Sequence, residues 1–364
     1  MSSLSSTLRQ LVVDDDVLPY VQERCPDVVP VAPPRRLPGG NLNVVWRVSC
    51  AERSLIVKYA PPYIAADPDT PLDPSRLLIE ARCLRALGEG GRLGELTGTV
   101  VRPPTLIDLH PEVPVLIMED VGPVPSFGAW LRDAGPQGRS AAAAMQGRRL
   151  GHFLGRLHAT TYADDHCADA FDNRPMQETR HAVQYQGVAD MLRDAGVRDA
   201  EALGRHAETV GRGLLEPGRC LTMGDLWPPS VLVAPGNDLR IIDWELAHYG
   251  RPLQDVAHWR AHLWMQIQRA PSPAVAKAIA EHRDAFLKAY AEGLGDKEEV
   301  LWDEEERRDA AIHFGAEILV RAVGPFQAGY VYAGLDVNHP AVQAAVATAA
   351  EHLRAPKAVE GTER

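Results

Sequence analysis

The chain predicts an α+β protein of two lobes, a small β-rich one followed by a larger helical one. Its 364 residues are too many for one small core, since single domains usually hold about 100–200. Up to Asp120 the apolar runs are short and rich in β-branched residues. After Gly122 apolar residues recur at helical spacing over long stretches. These runs place an N-terminal lobe over residues 1–120, a C-terminal lobe over 121–355 and a frayed tail over 356–364, with a hinge near 119–124.

Each element has its own signal. Asp14-Asp-Asp before VLPYVQERC predicts a capped helix. Five prolines between Pro26 and Pro38 predict a rigid connector. LPGGNLNVVWRVSC reads as a glycine turn entering a strand, and SLIVKYA, after the turn at Glu52-Arg53, as the second strand of a hairpin. PPYIAADPDTPLDP predicts a long loop, with Ser75 capping the helix SRLLIEARCLRALGEGG. RPPTLIDLHP and EVPVLIMEDV predict two more strands. SAAAAMQGRRLGHFLGRLHATTY and EALGRHAETVGRGLLE predict amphipathic helices. RCLTMGDLWPPSVLVAP and DLRIIDWELAHYG predict a strand pair, and Leu253 to Leu353 is mostly helical.

Composition limits the function classes. With 45% hydrophobic and 24% charged residues the chain is globular rather than disordered. No apolar run approaches the ~20 residues of a membrane helix, and MSSLSSTLRQ lacks a signal-peptide core, so the expectation is a cytoplasmic protein without a membrane partner. Cys25, Cys50, Cys83, Cys167 and Cys220 are scattered and form no CxxC, which argues against a disulfide framework or zinc ribbon. A net charge of −11 argues against nucleic acid.

The chemistry concentrates in Met223-Gly-Asp-Leu-Trp-Pro-Pro-Ser230 and Ile242-Asp-Trp-Glu245. Phosphoryl transfer to an alcohol needs one carboxylate to orient the hydroxyl and oxygen ligands to hold Mg²⁺ on the ATP phosphates. Asp225 suits the first role, as catalytic base; Ser230, Asp243 and Glu245 suit the second. Read alone, the loop Asp could equally cap a turn and DWE end an exposed strand. Upstream, the loop Gly39-Gly40-Asn41-Leu42-Asn43 could lie over phosphates, although most glycine turns only reverse the chain. Lys58 in LIVKY could face solvent, or pair with Glu80 and hold the phosphates. Met118 and Glu119 lie where a hinge would meet adenine through its backbone. The ordered combination is far more specific than any single part.

That order resembles, over nearly the whole chain, the kinase-like fold of the aminoglycoside phosphotransferase and choline kinase superfamily. The superfamily's HGDxxxxN loop and IDWE-like metal motif stand here as MGDLWPPS and IIDWE. The resemblance implies a bilobal protein-kinase-like fold, ATP and Mg²⁺ as cofactors, and a small-molecule acceptor with a hydroxyl. It also implies that Asp255, in GRPLQDVAHW, braces the catalytic loop. Within the superfamily the chain most resembles the methylthioribose kinases, in GGNLNVVWRV, in SLIVKYAPPYI followed by IEARCL, and in Ser at position 230. It departs at Met223, where His is common and a loop-bracing hydrogen bond is lost. It departs again at Arg321, which stands alone in ILVRAVG where those kinases pair two arginines on the sugar.

The leading expectation is a kinase for a sugar-like or nucleoside-like acceptor. Two alternatives are an antibiotic phosphotransferase and a nucleotide-binding protein with little catalysis. Arg321 is read either as an acceptor-binding fork or as a structural ion pair. His258 and His262 are spaced i, i+4 as metal ligands can be, but are read as surface or core histidines. His158 is read as a packing residue beneath the loop, Trp259 and Trp264 as core, and Asp303 to Glu306 as a solvated helix start.

Overall fold

A computed structural model describes residues 16–38, 41–110, 112–133 and 139–356. Gly39, Gly40 and the first two aspartates of the predicted cap lie outside them. Chain order gives α1 (Val17–Arg24), β1 (Arg35–Arg36), β2 (Val44–Val48), β3 (Leu55–Tyr59), β4 (Tyr63–Ile64), β5 (Asp67–Pro71), α2 (Arg76–Leu87), β6 (Val101–Arg102), β7 (Leu106–His110) and β8 (Val115–Glu119). The helical part holds α3 (Phe127–Arg132), α4 (Ser140–Thr160), α5 (Asp165–Ala170), α6 (Arg174–His181), α7 (Val188–Asp194) and α8 (Ala200–Gly213). The strands β9 (Cys220–Thr222), β10 (Val231–Ala234), β11 (Asp238–Ile241) and β12 (His248–Gly250) follow. Last come α9 (Leu253–Gln268), α10 (Pro273–Leu294), α11 (Glu298–Leu301), α12 (Glu304–Ala322) and α13 (Pro340–Arg354).

The N-terminal lobe is one antiparallel sheet in the order β1-β2-β3-β8-β7. Side chains alternate across it. Leu55, Val57 and Tyr59 join Trp46 and Ile117 on the face that α1 covers with Val17, Tyr20 and Val21. Ile56 and Lys58 take the opposite face, toward α2. The sheet is thus buried on both sides, which explains why LIVKY reads as an unbroken apolar run around one lysine.

Three sequence expectations change here. The proline-rich segment is no plain loop: β4 and β5 pair within it. The single strand pair expected around the DWE motif is two pairs, β10 with β11 and β9 with β12, so the catalytic loop leaves one ladder and enters another. Ser75 starts α2 without a side-chain cap, and Asp73 instead accepts its N–H.

Between α2 and β7 the chain leaves the N-terminal sheet. Residues 94–102 pack on α4, and β6 pairs in parallel with β11. The core of the helical lobe is built on the crossing of α4 and α10. Gly147, Gly151 and Gly155 let the two backbones touch: a Cβ on Gly151 would stand 2.2 Å from the carbonyl oxygen of Phe286.

Candidate active site

Lys58 and Glu80 form the first unit. Lys58 Nζ lies 2.7 Å from Glu80 Oε2, 2.9 Å from Asp243 Oδ1 and 3.5 Å from Glu245 Oε1. Its side chain is 2% exposed, so the solvent-facing reading is excluded. Burial works against the Lys58 charge, but Asp243, Glu245 and Glu80 outweigh it and hold the ammonium well above its usual pKa. Burial pushes Glu80 up to about 7; Lys58 opposes that shift, and Glu245 and Asp243 add to it.

Arg76, fully buried at the start of α2, completes the network. Its Nε donates to Glu245 Oε2 at 3.0 Å and its Nη2 to Asn43 Oδ1 at 3.1 Å, with further donors on the carbonyls of Leu42, Pro61 and Asp73. Asn43 Nδ2 in turn donates to Glu245 Oε1 at 2.7 Å. These contacts correct two expectations. Both oxygens of Glu245 are committed to protein donors, so it is a clamp between the lobes rather than a free metal ligand. Asn43 fastens its loop to that clamp and is not open to phosphates. Asp243, in contrast, keeps 42% of its side chain exposed. It sits at φ 63°, ψ 57°, a left-handed conformation that Asp tolerates better than bulkier residues. Three carboxylates thus meet two cations, and the surplus negative charge with an open hard-oxygen donor suits a divalent cation.

At the predicted hinge the side chains are engaged within the protein. Met118 is buried in β8. Glu119 binds Arg102 with both oxygens, at 2.6 and 2.7 Å, and accepts the N–H of Thr105 at 2.9 Å. Beyond it, Arg47 grips Asp120 and the carbonyl of Gly122.

The catalytic loop hangs from Asp255. Its carboxylate accepts the N–H groups of Met223 and Gly224, both at 2.8 Å, and lies 3.1 Å from His158 Nε2, whose other nitrogen meets Tyr290. The expected roles of Asp255 and His158 thus match the geometry, and the loop is braced without a histidine at position 223. Gly224 has φ +77°, and a Cβ there would stand 2.3 Å from the carbonyl oxygen of Leu246, so only glycine fits. Ser230 differs from expectation. Its hydroxyl donates to the Trp227 carbonyl at 2.8 Å and accepts the Trp227 N–H at 3.2 Å, fully buried. It closes the loop on itself and offers no open metal ligand.

At the loop's tip Asp225 Oδ1 receives Arg180 Nη2 at 2.8 Å and lies 3.3 Å from His258 Nε2. Burial alone would raise its pKa. The His258 contact, Arg180 and the more distant Arg321 outweigh burial and hold Asp225 well below the usual carboxylate range. Arg321 makes the ion pair of its structural reading, its Nε donating to Glu317 Oε1 at 2.8 Å, and its charge also acts on Asp225. Its guanidinium lies 4.5 Å from the ring centre of Trp227, with Phe326 and Tyr330 at 5.1 and 5.4 Å. His258 and His262 are core residues, as expected, though they sit in a polar cluster. His262 Nε2 is 3.0 Å from Glu317, and its Nδ1 is 2.7 Å from Tyr330 OH. Trp259 and Trp264 are core too, whereas Glu306 is buried on Arg251 rather than solvated.

Arg76, Arg180 and Glu317 were missed from sequence. Arg76 had one signal: a cation in the first turn of a helix, where the dipole disfavours it, has a partner elsewhere. His313, Glu317 and Arg321 form an i, i+4 ladder of polar groups in the otherwise apolar stretch that follows Asp309, which was the signal for the cluster.

A two-sided sheet carrying a Lys–Glu pair, joined to a helical lobe that presents a braced loop Asp and a second Asp at a strand end, defines a kinase-like phosphotransferase. The chain belongs to the phosphotransferase enzyme family (APH), whose model matches residues 34–308. It is an ATP-dependent phosphotransferase that acts on a hydroxyl. Among curated relatives, the 4-hydroxytryptamine kinase of Psilocybe cubensis is 26% identical over 77% of this chain and 80% of that protein. The one from Psilocybe cyanescens is also 26% identical, over 71% and 74%. The choline kinase LicA of Streptococcus pneumoniae superposes with a TM-score of 0.51 at 14% identity, covering 93% of this chain and 98% of that one. Spectinomycin phosphotransferase APH(9)-Ia superposes with a TM-score of 0.51 at 12% identity, covering 93% and 99%. At these identities the two structures speak for the fold.

Proposed function

We propose that the chain transfers the γ-phosphoryl group of MgATP to a hydroxyl of a compact, flat-faced small molecule held against Trp227, Arg321, Phe326 and Tyr330. The observation that carries this reading is the position of Asp225, kept ionised at the edge of that wall. Lys58, steadied by Glu80, holds the α and β phosphates, and Asp243 carries Mg²⁺, which supplies neutralising charge on the phosphate oxygens. Asp225 orients the acceptor hydroxyl. Its oxygen bonds to the γ-phosphorus as the bond to the bridging oxygen of ADP breaks, and its proton passes to Asp225. A weakly basic carboxylate suits a loose transition state in which that proton moves late. The lobes meet at Asp120–Gly122.

A methylthioribose-like furanoside is one acceptor class, supported by the sequence likeness of GGNLNVVWRV and by the donor fork of Arg321. A phenolic hydroxyl on an aromatic amine is the second, supported by the aromatic wall and by the names of the curated relatives. Polycationic aminoglycosides fit worse, because Arg180 and Arg321 put two fixed cations near Asp225. The test is ADP release with methylthioribose, nucleosides, 4-hydroxytryptamine and aminoglycosides. Turnover of a flat acceptor, with its KM raised more than tenfold by Arg321→Ala, is the expected outcome. Efficient turnover of aminoglycosides alone overturns the acceptor assignment.

A further inference from the structure

We propose that His258 is a positioning residue for phosphoryl transfer: its Nε2–H holds Oδ1 of Asp225, leaving the other carboxylate oxygen to the acceptor hydroxyl. The proposal rests on the phosphotransfer reading above and adds a residue that the sequence treated as ordinary core.

Geometry selects the tautomer. His258 lies on α9, fully buried, with Asp225 Oδ1 3.3 Å from its Nε2. Its Nδ1 faces Arg180 Nη1 at 3.4 Å, His313 Nε2 at 3.4 Å and Glu317 Oε2 at 3.5 Å, and the ring of His262 packs beside it. Arg180 can only donate, so Nδ1 is the accepting nitrogen. Glu317 does not require a proton from it, because Gln184 donates to Oε2 and Arg321 to Oε1, with His262 Nε2 also 3.0 Å from Oε1. The ring proton therefore belongs on Nε2, facing Asp225. At 3.3 Å the two atoms are in ion-pair range, but Nε2 is not aligned as a hydrogen-bond donor in this structure; catalytic hydrogen bonds are often long or poorly aligned before substrate is bound.

A carboxylate with two equivalent oxygens can turn about its last bond. Arg180 and His258 approach the same oxygen from α6 and α9, which fixes that rotation and leaves Oδ2 free of both. His258 thus supplies from behind the aspartate a fixing contact that Met223 cannot provide. His258, His262 and Glu317 also have the mutual spacing of a metal site. A divalent cation there would meet Arg321 on Glu317 and Arg180 on Asp225, so both nearby carboxylates are already neutralised by guanidinium groups and the cluster is better matched to proton and hydrogen-bond traffic.

The test compares His258→Gln, which can present an amide N–H where Nε2 stood, with His258→Asn and His258→Ala, which cannot. Turnover is measured with MgATP plus 4-hydroxytryptamine and with MgATP alone, where water is the acceptor. Gln is expected to stay within about threefold of wild-type kcat, and Asn and Ala to fall by at least about 30-fold, part of the 10²–10⁴ range of a positioned base. KM for ATP should stay within about twofold. On an Asp225→Asn background His258→Ala should cost nothing more, because the two act as a unit. Equal losses in Gln and Ala, or a full additional loss on that background, overturn the proposal. Nitrogen NMR of the imidazole reads the tautomer without turnover: an Nε2–H resonance that moves in Asp225→Asn is expected, and an Nδ1–H tautomer refutes the assignment. If wild type phosphorylates neither acceptor, the choice of 4-hydroxytryptamine as acceptor fails, and the resonance still decides the contact.

Discussion

Replacing Arg76 with Met removes the one guanidinium that ties Glu245 to the N-terminal lobe. Arg76 is fully buried and the Glu245 side chain is 6% exposed, so the substitution leaves a buried carboxylate short of a partner. Breaking such a pair costs about 3–5 kcal/mol. Lys58 at 3.5 Å and Asn43 at 2.7 Å remain beside Glu245, which favours the lower end, about 3 kcal/mol. With about 2.1 cal/mol/K of unfolding entropy per residue over 364 residues, 1 kcal/mol is worth roughly 1.3 °C, and the melting temperature should fall by about 4 °C. Asn43 loses a donor as well, so the loop carrying it should loosen and KM for ATP should rise. Thermal unfolding with and without MgATP, followed by nucleotide kinetics, checks both. The decisive comparison is the double variant Arg76→Met/Glu245→Gln. Removing the orphaned charge should restore at least about 1 kcal/mol relative to Arg76→Met. A double variant no more stable than the single one refutes the charge argument, and a single variant with wild-type melting and KM refutes the clamp.

Asp225→Asn should lower kcat by about 10²–10⁴-fold while leaving nucleotide affinity nearly unchanged, as calorimetry and steady-state rates will read. Asp243→Ala should abolish the Mg²⁺ dependence of ATP binding, and equal MgATP affinity in variant and wild type contradicts its assignment. Burial opposes ionisation of Glu119, yet Arg102 and Thr105 bring its pKa down to about 2. The folded value lies below the ordinary 4.5, so its contribution is fully present above about pH 4.5 and fades toward pH 2. The difference in melting temperature between wild type and Glu119→Gln should therefore shrink on acidification, and a constant difference excludes the linkage. Gly151→Ala should destabilise by about 1–3 kcal/mol in denaturant titrations, because the Phe286 carbonyl cannot yield to a methyl group as a side chain could.

The fold was legible wherever one pattern dominated. The unbroken apolar run LIVKY, the long helix that carries His158 and the helical run from Leu253 all read correctly because each buries the residues its sequence marks. The short pairs β4–β5 and β9–β12 were hidden: strands of two to five residues carry too little periodicity to outweigh prolines. At the site, the order of Lys58, Glu80, Asp225 and Asp243 was readable because each occupies a characteristic place in its element. The roles of Ser230, Asn43 and Glu245 were not, because whether a polar side chain points at a ligand or at its own backbone depends on partners far along the chain. Arg76 and Glu245 are 169 positions apart, and Gln184 and Glu317 are separated by 133.

The excursion of residues 94–102 onto α4 and β11 has a mechanical consequence. The chain passes between the two lobes after α2, again between β6 and β7, and a third time after β8. A body held by one strand can swing in any direction, and one held by two can still rotate about the line joining them. Three tethers leave only small tilts. Two of the three are further coupled, since Glu119, at the third, grips Arg102 and Thr105, which flank the second. The side of the cleft that carries Glu119 and Asp120 therefore acts as a stiff spine. On the opposite rim the β4–β5 hairpin lies free of that spine, while the Asn41–Asn43 loop is held across the cleft through Asn43, Arg76 and Glu245.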